Sequence, residues 1–210
     1  MYRQTFKTAK FIGLIGLSLS LSACVSTPST DPTNNSSTPN PNINTSGRFK
    51  DNGDGTVTDL NTKLMWKKCI EGYSGANCAT GSFDTREFLW TEASAQAQQN
   101  FANHQDWRIP SLEELRSLVR CGDGKPSDPK AGVIGCMGVD RKGKYTSPTI
   151  DTQAFPNPRS MYATYFWTST NDEPSRAGSN MTLSFDDGGV NSSYKNNINR
   201  RQVRLVRNAH

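Results

Sequence analysis

The chain has 210 residues, a hydrophobic fraction of only 33% and a formal charge of +5. Residues 1–23 hold three bases (Arg3, Lys7, Lys10) and no acid, so the remainder carries only +2. That excludes a bulk electrostatic footprint for nucleic acid, and any basic binding patch has to be local.

The three bases precede an apolar run over residues 11–21, followed by Ser22-Ala23-Cys24. The run is too short to cross a bilayer with ease and reads as a secretory leader. A cysteine directly after Leu-Ser-Ala is the pattern of a bacterial lipoprotein. The Cys24 sulfur would be diacylated, the leader (residues 1–23) removed and the new amino group acylated. Each buried methylene adds about 0.8 kcal/mol of membrane affinity, so several chains together hold firmly. Cleavage that leaves a free Cys24 is the alternative. Val25 rather than Asp follows the cysteine, which favours anchoring in the outer membrane. Residues 24–47 are Ser, Thr, Pro and Asn with almost nothing apolar, and such a segment cannot bury enough surface to offset its ordering entropy. It reads as a tether of roughly 25–30 Å as a coil and roughly 70 Å as polyproline II. Residues 48–210 have a globular composition and suffice for one domain.

In that domain residues 49–59 predict a strand, a Gly/Asp turn and a second strand, because Asn-Gly and Asp-Gly supply the positive φ of tight hairpins. Leu64-Met65-Trp66 predicts a buried strand. Thr91 is a plausible N-cap for a helix through residues 92–103, with Ala93, Ala97 and Phe101 on its inner face. Ser111 and Glu114 form a capping box for a second helix, whose stripe is Leu112, Leu115, Leu118 and Val119 and which ends at Cys121. After Cys136 the chain is loop-rich. Residues 165–169 predict a strand, residues 181–185 another with Met181, Leu183 and Phe185 on one face, and Val203 and Leu205 alternate with Arg204 in a terminal strand. Two helices near the front and antiparallel strands elsewhere give an α+β domain.

Apart from Cys24, the cysteines are Cys69, Cys78, Cys121 and Cys136. An even number in an exported chain suggests two disulfides, and the sequence-local pairing, Cys69–Cys78 with Cys121–Cys136, is the preferred one of three. A zinc site is the rival reading, but His104 and His210 are the only histidines and no Cys-x-x-Cys occurs.

These landmarks resemble the Lcl C-terminal domain family, named for the C-terminal region of a collagen-like bacterial adhesin. The matching stretches are Arg48-Phe49, residues 51–59, Leu64-Met65-Trp66, Trp90 with Ala93, and Asp106-Trp107-Arg108-Ile109-Pro110 with Glu114-Leu115. Phe166-Trp167-Thr168-Ser169 and residues 203–207 complete the set. The resemblance implies an extracytoplasmic domain, distantly similar to the C-type-lectin-like and formylglycine-generating-enzyme folds. From the named adhesin it implies binding to sulfated glycans and adhesion. The chain has no collagen repeat, so trimerisation is not implied, and Leu205 stands where relatives commonly place a cysteine, so their disulfide pairing is not carried over.

Several residues are candidates for a site. Lys195, Arg200, Arg201, Arg204 and Arg207 concentrate positive charge near the C-terminus, and Arg forks suit sulfate, phosphate and carboxylate. The set reads as an anionic-glycan or lipid-headgroup surface, or else as an edge strand blunted by charge. Asp51, Asp54 and Asp59 offer hard oxygens for calcium, although the EF-hand ladder is absent and a plain turn explains them better. Trp66, Trp90, Trp107 and Trp167 could stack on sugars, yet each sits inside a patterned core segment, and for Trp66 and Trp107 a core role is the better reading. Arg108 and Glu114 read as a structural ion pair or cap. No catalytic residue is assigned: formylglycine-generating chemistry needs a redox-active cysteine pair at a metal centre that cannot be mapped here, and no Ser-His-Asp set is placed. The function expected is therefore a lipid-anchored binding or adhesion module, with a structural lipoprotein docking another envelope protein as the alternative.

Overall fold

In the computed structural model the described residues are 47–81, 87–121, 135–136, 147–156, 165–172 and 175–209. The chain divides into two units, Met1–Thr38 and Pro39–His210, and every described residue belongs to the second. The leader, Cys24, all of the tether before residue 47, and His210 lie outside the described residues.

Strands β1 (Phe49–Asp51) and β2 (Thr56–Asp59) pair antiparallel around a turn built by its own side chains. Asp51 Oδ1 accepts from the Gly53 N–H at 2.9 Å, and Asp54 Oδ1 accepts from the N–H and hydroxyl of Thr56 at 3.0 and 2.6 Å. Gly55 has φ 88°, and a Cβ there would stand 2.9 Å from Phe101 Cζ, so both conformation and space require glycine. Strand β3 (Leu64–Lys67) pairs with β2, and β9 (Val206–Asn208) pairs with β3, giving an antiparallel sheet in the order β1-β2-β3-β9. Arg48 clamps it to the next layer. Its Nε donates to Asp59 at 3.0 Å, and its Nη1 donates to Ser117 O at 3.0 Å.

A two-stranded ribbon, β4 (Tyr73–Ser74) with β5 (Thr80–Gly81), follows. The Cys69–Cys78 disulfide closes the loop through it, and Cys121 bonds Cys136, with Cα separations of 5.3 and 5.2 Å, inside the normal range.

Helix α1 covers Trp90–Gln96, capped at Leu89 rather than Thr91. Glu92 reaches back to accept from the Leu89 N–H at 2.9 Å, so the first-turn donor is met from inside the helix. The expected extension to residue 103 fails because the last turn tightens, Gln98 N donating to Ala95 O and Gln99 N to Gln96 O, after which Phe101 pairs with His104 in a tight turn. Helix α2 covers Leu112–Arg116, with the Ser111/Glu114 capping box formed. It stops short of Cys121 because the backbone tightens: Leu118 N donates to Leu115 O, and Val119 N to Arg116 O. Leu118 and Val119 still reach the core.

The remaining sheet is β6-β7-β8: β6 (Tyr165–Asn171), β7 (Ser179–Ser184) and β8 (Val190–Tyr194), all antiparallel. Central strand β7 was expected to bury one face, but Asn180, Thr182 and Ser184 are as buried as Leu183. Polar partners meet part of the cost: Asn180 Nδ2 donates to Thr168 O at 2.8 Å and Ser184 Oγ accepts from Asp186 N at 3.1 Å, whereas Thr182 Oγ1 is buried without a hydrogen bond. The main core joins Phe49, Val57, Trp66, Leu115, Phe155, Phe166 and Leu183; a second cluster holds Ala93, Trp107, Ile109, Trp167, Val203 and Leu205. The architecture is thus α+β, mostly strand, with two short helices.

The terminal strand is placed differently from expectation. Residues 203–205 precede β9 and are buried on both sides. Their carbonyls accept from other segments, Leu205 O from Lys67 N and Val203 O from Glu71 N.

Candidate functional site

The C-terminal cations do not form one surface. Arg204 is 1% exposed; its Nη1 donates to Lys67 O at 3.0 Å and Lys68 O at 2.6 Å, and its guanidinium lies 4.9 Å from the Phe155 ring centroid. It therefore leaves the ligand-binding set: the guanidinium is enclosed in the domain, with Nη1 spent on main-chain carbonyls and Nε buried without a hydrogen bond. Arg207 is also buried and donates to Asp106 at 2.7 Å, and that hydrogen bond holds the Asp106 carboxyl below its usual range.

Lys195, Arg200 and Arg201 do come together, around the start of α1. The backbones of Phe88 and Arg201 exchange both hydrogen bonds, at 2.8 and 3.0 Å, laying the segment along the helix entrance. Arg200 donates through both Nη atoms to the Glu92 carboxylate (2.9 and 3.2 Å) and to Glu87 O. Arg201 donates to the Ser193 hydroxyl at 2.9 Å and to Arg200 O; burial lowers its pKa, partly opposed by Glu87 and Tyr165. Lys195 Nζ donates to Asn171 at 3.2 Å and lies 5.9 Å from the Trp90 ring centroid. Arg176 joins from the facing loop, 5.3 Å above the half-exposed Tyr194 ring.

Trp90 continues this face into a groove of about 560 Å³, lined also by Ser94, Gln98, Gln105, Trp107 and Arg108. Its floor is rigid. Trp107 is buried and donates its indole N–H to Phe101 O at 3.0 Å; Trp167 donates to Phe88 O at 2.8 Å and meets Trp90 edge-on at 5.5 Å. At the far wall Arg108 grips Glu114 through two bonds of 2.6 and 2.7 Å, while Glu114 also accepts from the Ser111 N–H at 2.8 Å. Burial alone would raise the Glu114 pKa; the bonds from Arg108 and Ser111 outweigh it and the net shift is downward. The pair thus locks the α2 cap to the segment at Arg108, whose backbone exchanges hydrogen bonds with Val206 of β9, as a structural ion pair does. The groove and its basic flank offer an aromatic surface, amide and hydroxyl donors, and cations at the rim.

A family model described as the Lcl C-terminal domain matches residues 55–207. The chain belongs to the Lcl C-terminal domain family. Membership in this adhesin-named family fits an extracellular binding module. No match was found among curated proteins. The family's motif residues divide into framework and face: Trp66, Trp167 and Arg204 are buried, Trp90 and Arg108 line the groove, and the buried Trp107 does both.

The calcium candidates are not brought together. Asp51 accepts from Lys68 Nζ at 2.7 Å, Asp54 holds the turn through Thr56, and Asp59 sits at the other end of β2 against Arg48. Among the described residues no three of His, Cys, Asp and Glu gather as metal ligands. Sequence reasoning missed Gln98 and Gln105, which carry no pattern of their own, and Arg176 with Tyr194. It also missed the Lys67–Glu71 ion pair (3.0 Å), because Lys67 ends a strand and Glu71 lies in a turn, where an i, i+4 spacing carries no signal.

Proposed function

We propose that the protein is a lipid-anchored, extracytoplasmic binding or adhesion module at the bacterial outer membrane, with a C-type-lectin-like arrangement and an anionic or sulfated glycan as ligand. The observation that carries the reading is Lys195 beside Trp90, which lines the groove, with Arg200 and Arg201 on the segment that pairs with Phe88 at the start of α1. Lys195 and Arg201 bond only to neutral groups in their hydrogen bonds, so their charge is available to a sulfate or carboxylate, and Arg forks match that geometry. Arg200 is shared with Glu92 and contributes less. Neutralising Arg200 and Arg201 together should abolish retention on a sulfated-glycan column at moderate salt; unchanged retention removes this segment. Mass spectrometry of the native N-terminus tests the anchor: an unmodified Cys24 sulfur ends that part of the reading. Docking onto another envelope protein is the second reading, favoured by Ile198, which is 76% exposed at the tip of the same segment. A stoichiometric protein partner without glycan binding would select it.

A further inference from the structure

A second cleft, of about 580 Å³, lies between the β1–β2 turn, the loop closed by Cys69–Cys78, and Phe101. It shares no lining residue with the Trp90 groove. Its size is that of small-molecule sites, roughly 300–1,000 Å³. The disulfide fixes one wall and the Gly55–Phe101 contact the other.

The charges of the lining are spent unevenly. Lys68 donates to Asp51 at 2.7 Å. Lys67 Nζ lies 3.0 Å from Glu71 Oε1, with the Phe101 ring centroid at 4.6 Å and that of Trp107 at 5.8 Å. Arg204, near the floor, turns its Nη1 donor to the carbonyls of Lys67 and Lys68. Both lining ammonium groups are therefore engaged. The carboxylates are not saturated. Glu71 is 9% exposed and its Oε1 is ion-paired with Lys67 at 3.0 Å, but one ammonium does not fill the roughly four acceptor sites of a carboxylate. Burial raises its pKa against the opposing charges of Lys67 and Arg204. Asp54 forms no ion pair among the described residues, and only its Oδ1 is used, by Thr56. Carboxylates with acceptor sites to spare, lining a cleft, suit a ligand rich in O–H or N–H donors. The Phe101 and Tyr73 rings supply apolar surface, and Gln99 adds an amide at the edge.

We propose that this cleft is a second binding site, taking a single sugar ring that bears hydroxyl or amine donors and no anionic group, held by Glu71 and Asp54 with its apolar face on Phe101 and Tyr73. It complements the basic face: carboxylates that accept hydroxyl protons also repel sulfate and uronate. The two sites thus select opposite chemistries.

The test is titration of the full chain, ¹⁵N-labelled, with glucose, glucosamine, N-acetylglucosamine and glucuronate, following the amides of Gly53, Gly55 and Gly75 in the cleft and of Gly188 far from it. The neutral sugars, the amino sugar or both should shift the cleft glycines with a Kd of order 1 mM, glucuronate should not, and Gly188 should stay still. A response to glucosamine alone assigns the amine as the recognised donor; a response to all three non-acidic sugars assigns the hydroxyls. D54N and E71Q should each weaken binding about tenfold, with an unmoved Gly188 amide reporting an intact fold. The proposal is overturned if none of the sugars shifts the cleft glycines, if glucuronate binds as well as glucose, or if neither substitution weakens binding. R200A/R201A tests the basic face alone, so failure of one site is separable from failure of the other.

Discussion

Replacing Arg204 by Met separates the internal arginine from the surface cations. Met retains most of the side-chain length and apolar packing but removes every donor. In the native domain Arg204 is 1% exposed, bonds two carbonyls and lies over Phe155; burial pushes its pKa down to about 9, with the Glu71 charge opposing. Each hydrogen bond from a charged donor contributes about 1.5–3 kcal/mol, and each buried carbonyl left without a donor costs about 1–3 kcal/mol. Relief from burying a cation offsets several kcal/mol of this. Glu71, also buried, loses one of its two neighbouring cations, which adds to the cost. The balance is a loss of about 3 kcal/mol. At about 2–4 °C per kcal/mol for a domain of this size, R204M should melt about 10 °C lower by circular dichroism. Retention of the folded protein on a sulfated-glycan column should not change. An unaltered melting temperature, or lost retention without lost stability, would refute the inward-facing role.

Three further outcomes follow from the same geometry. Replacing Cys121 and Cys136 by Ser, which opens a loop of 15 residues, should cost about 3 kcal/mol in urea unfolding, and opening the 9-residue Cys69–Cys78 loop slightly less. D59N should cost about 3 kcal/mol at pH 7, because the Asp59 side chain is fully buried and Arg48 is left half-satisfied. Burial raises the Asp59 pKa but the bonds from Arg48, Thr62 and Asn61 outweigh it, so the folded value lies below the unfolded one. The stabilisation is therefore complete above about pH 4 and is lost as the pH falls through the lower folded value, so the gap between wild type and D59N should narrow at pH 3. G55A should cost about 1–3 kcal/mol, from positive φ and the approach to Phe101, whereas Gly53→Ala meets no neighbouring atom and should cost less.

What was legible in the sequence depended on whether the determinant was local. The 51–59 hairpin follows from Asn-Gly and Asp-Gly, because the turn's hydrogen bonds lie within a few residues of one another. The Ser111 cap is legible for the same reason. The length of α1 was not, because it ends at Gln96 in a tightened turn that no glycine or proline announced. Nor was either cleft, since each is assembled from segments far apart: Gln98 and Gln105 meet Ser169 in one, and Asp54 meets Glu71 and Gln99 in the other.

The basic tail shows why residue type alone misleads. Lys195, Arg200 and Arg201 sit among Asn residues, in a stretch with Ile198 as its lone large hydrophobe, and their side chains find polar partners in Asn171, Glu92 and Ser193. Arg204 sits between Val203, Leu205 and Val206, each completely buried. A charge enclosed by a run of apolar neighbours cannot turn to water without carrying them along, and here that would expose three core side chains at about 1.5–3 kcal/mol each. The chain instead keeps the run inside and supplies the guanidinium with main-chain oxygens from residues 67 and 68. Those same residues lead into the floor of the second cleft, where Lys67 faces Glu71. The internal arginine is in this way a positioning residue: it fixes the backbone from which the Lys67–Glu71 pair projects, so R204M should disturb sugar binding at the cleft more than anionic-glycan binding at the rim.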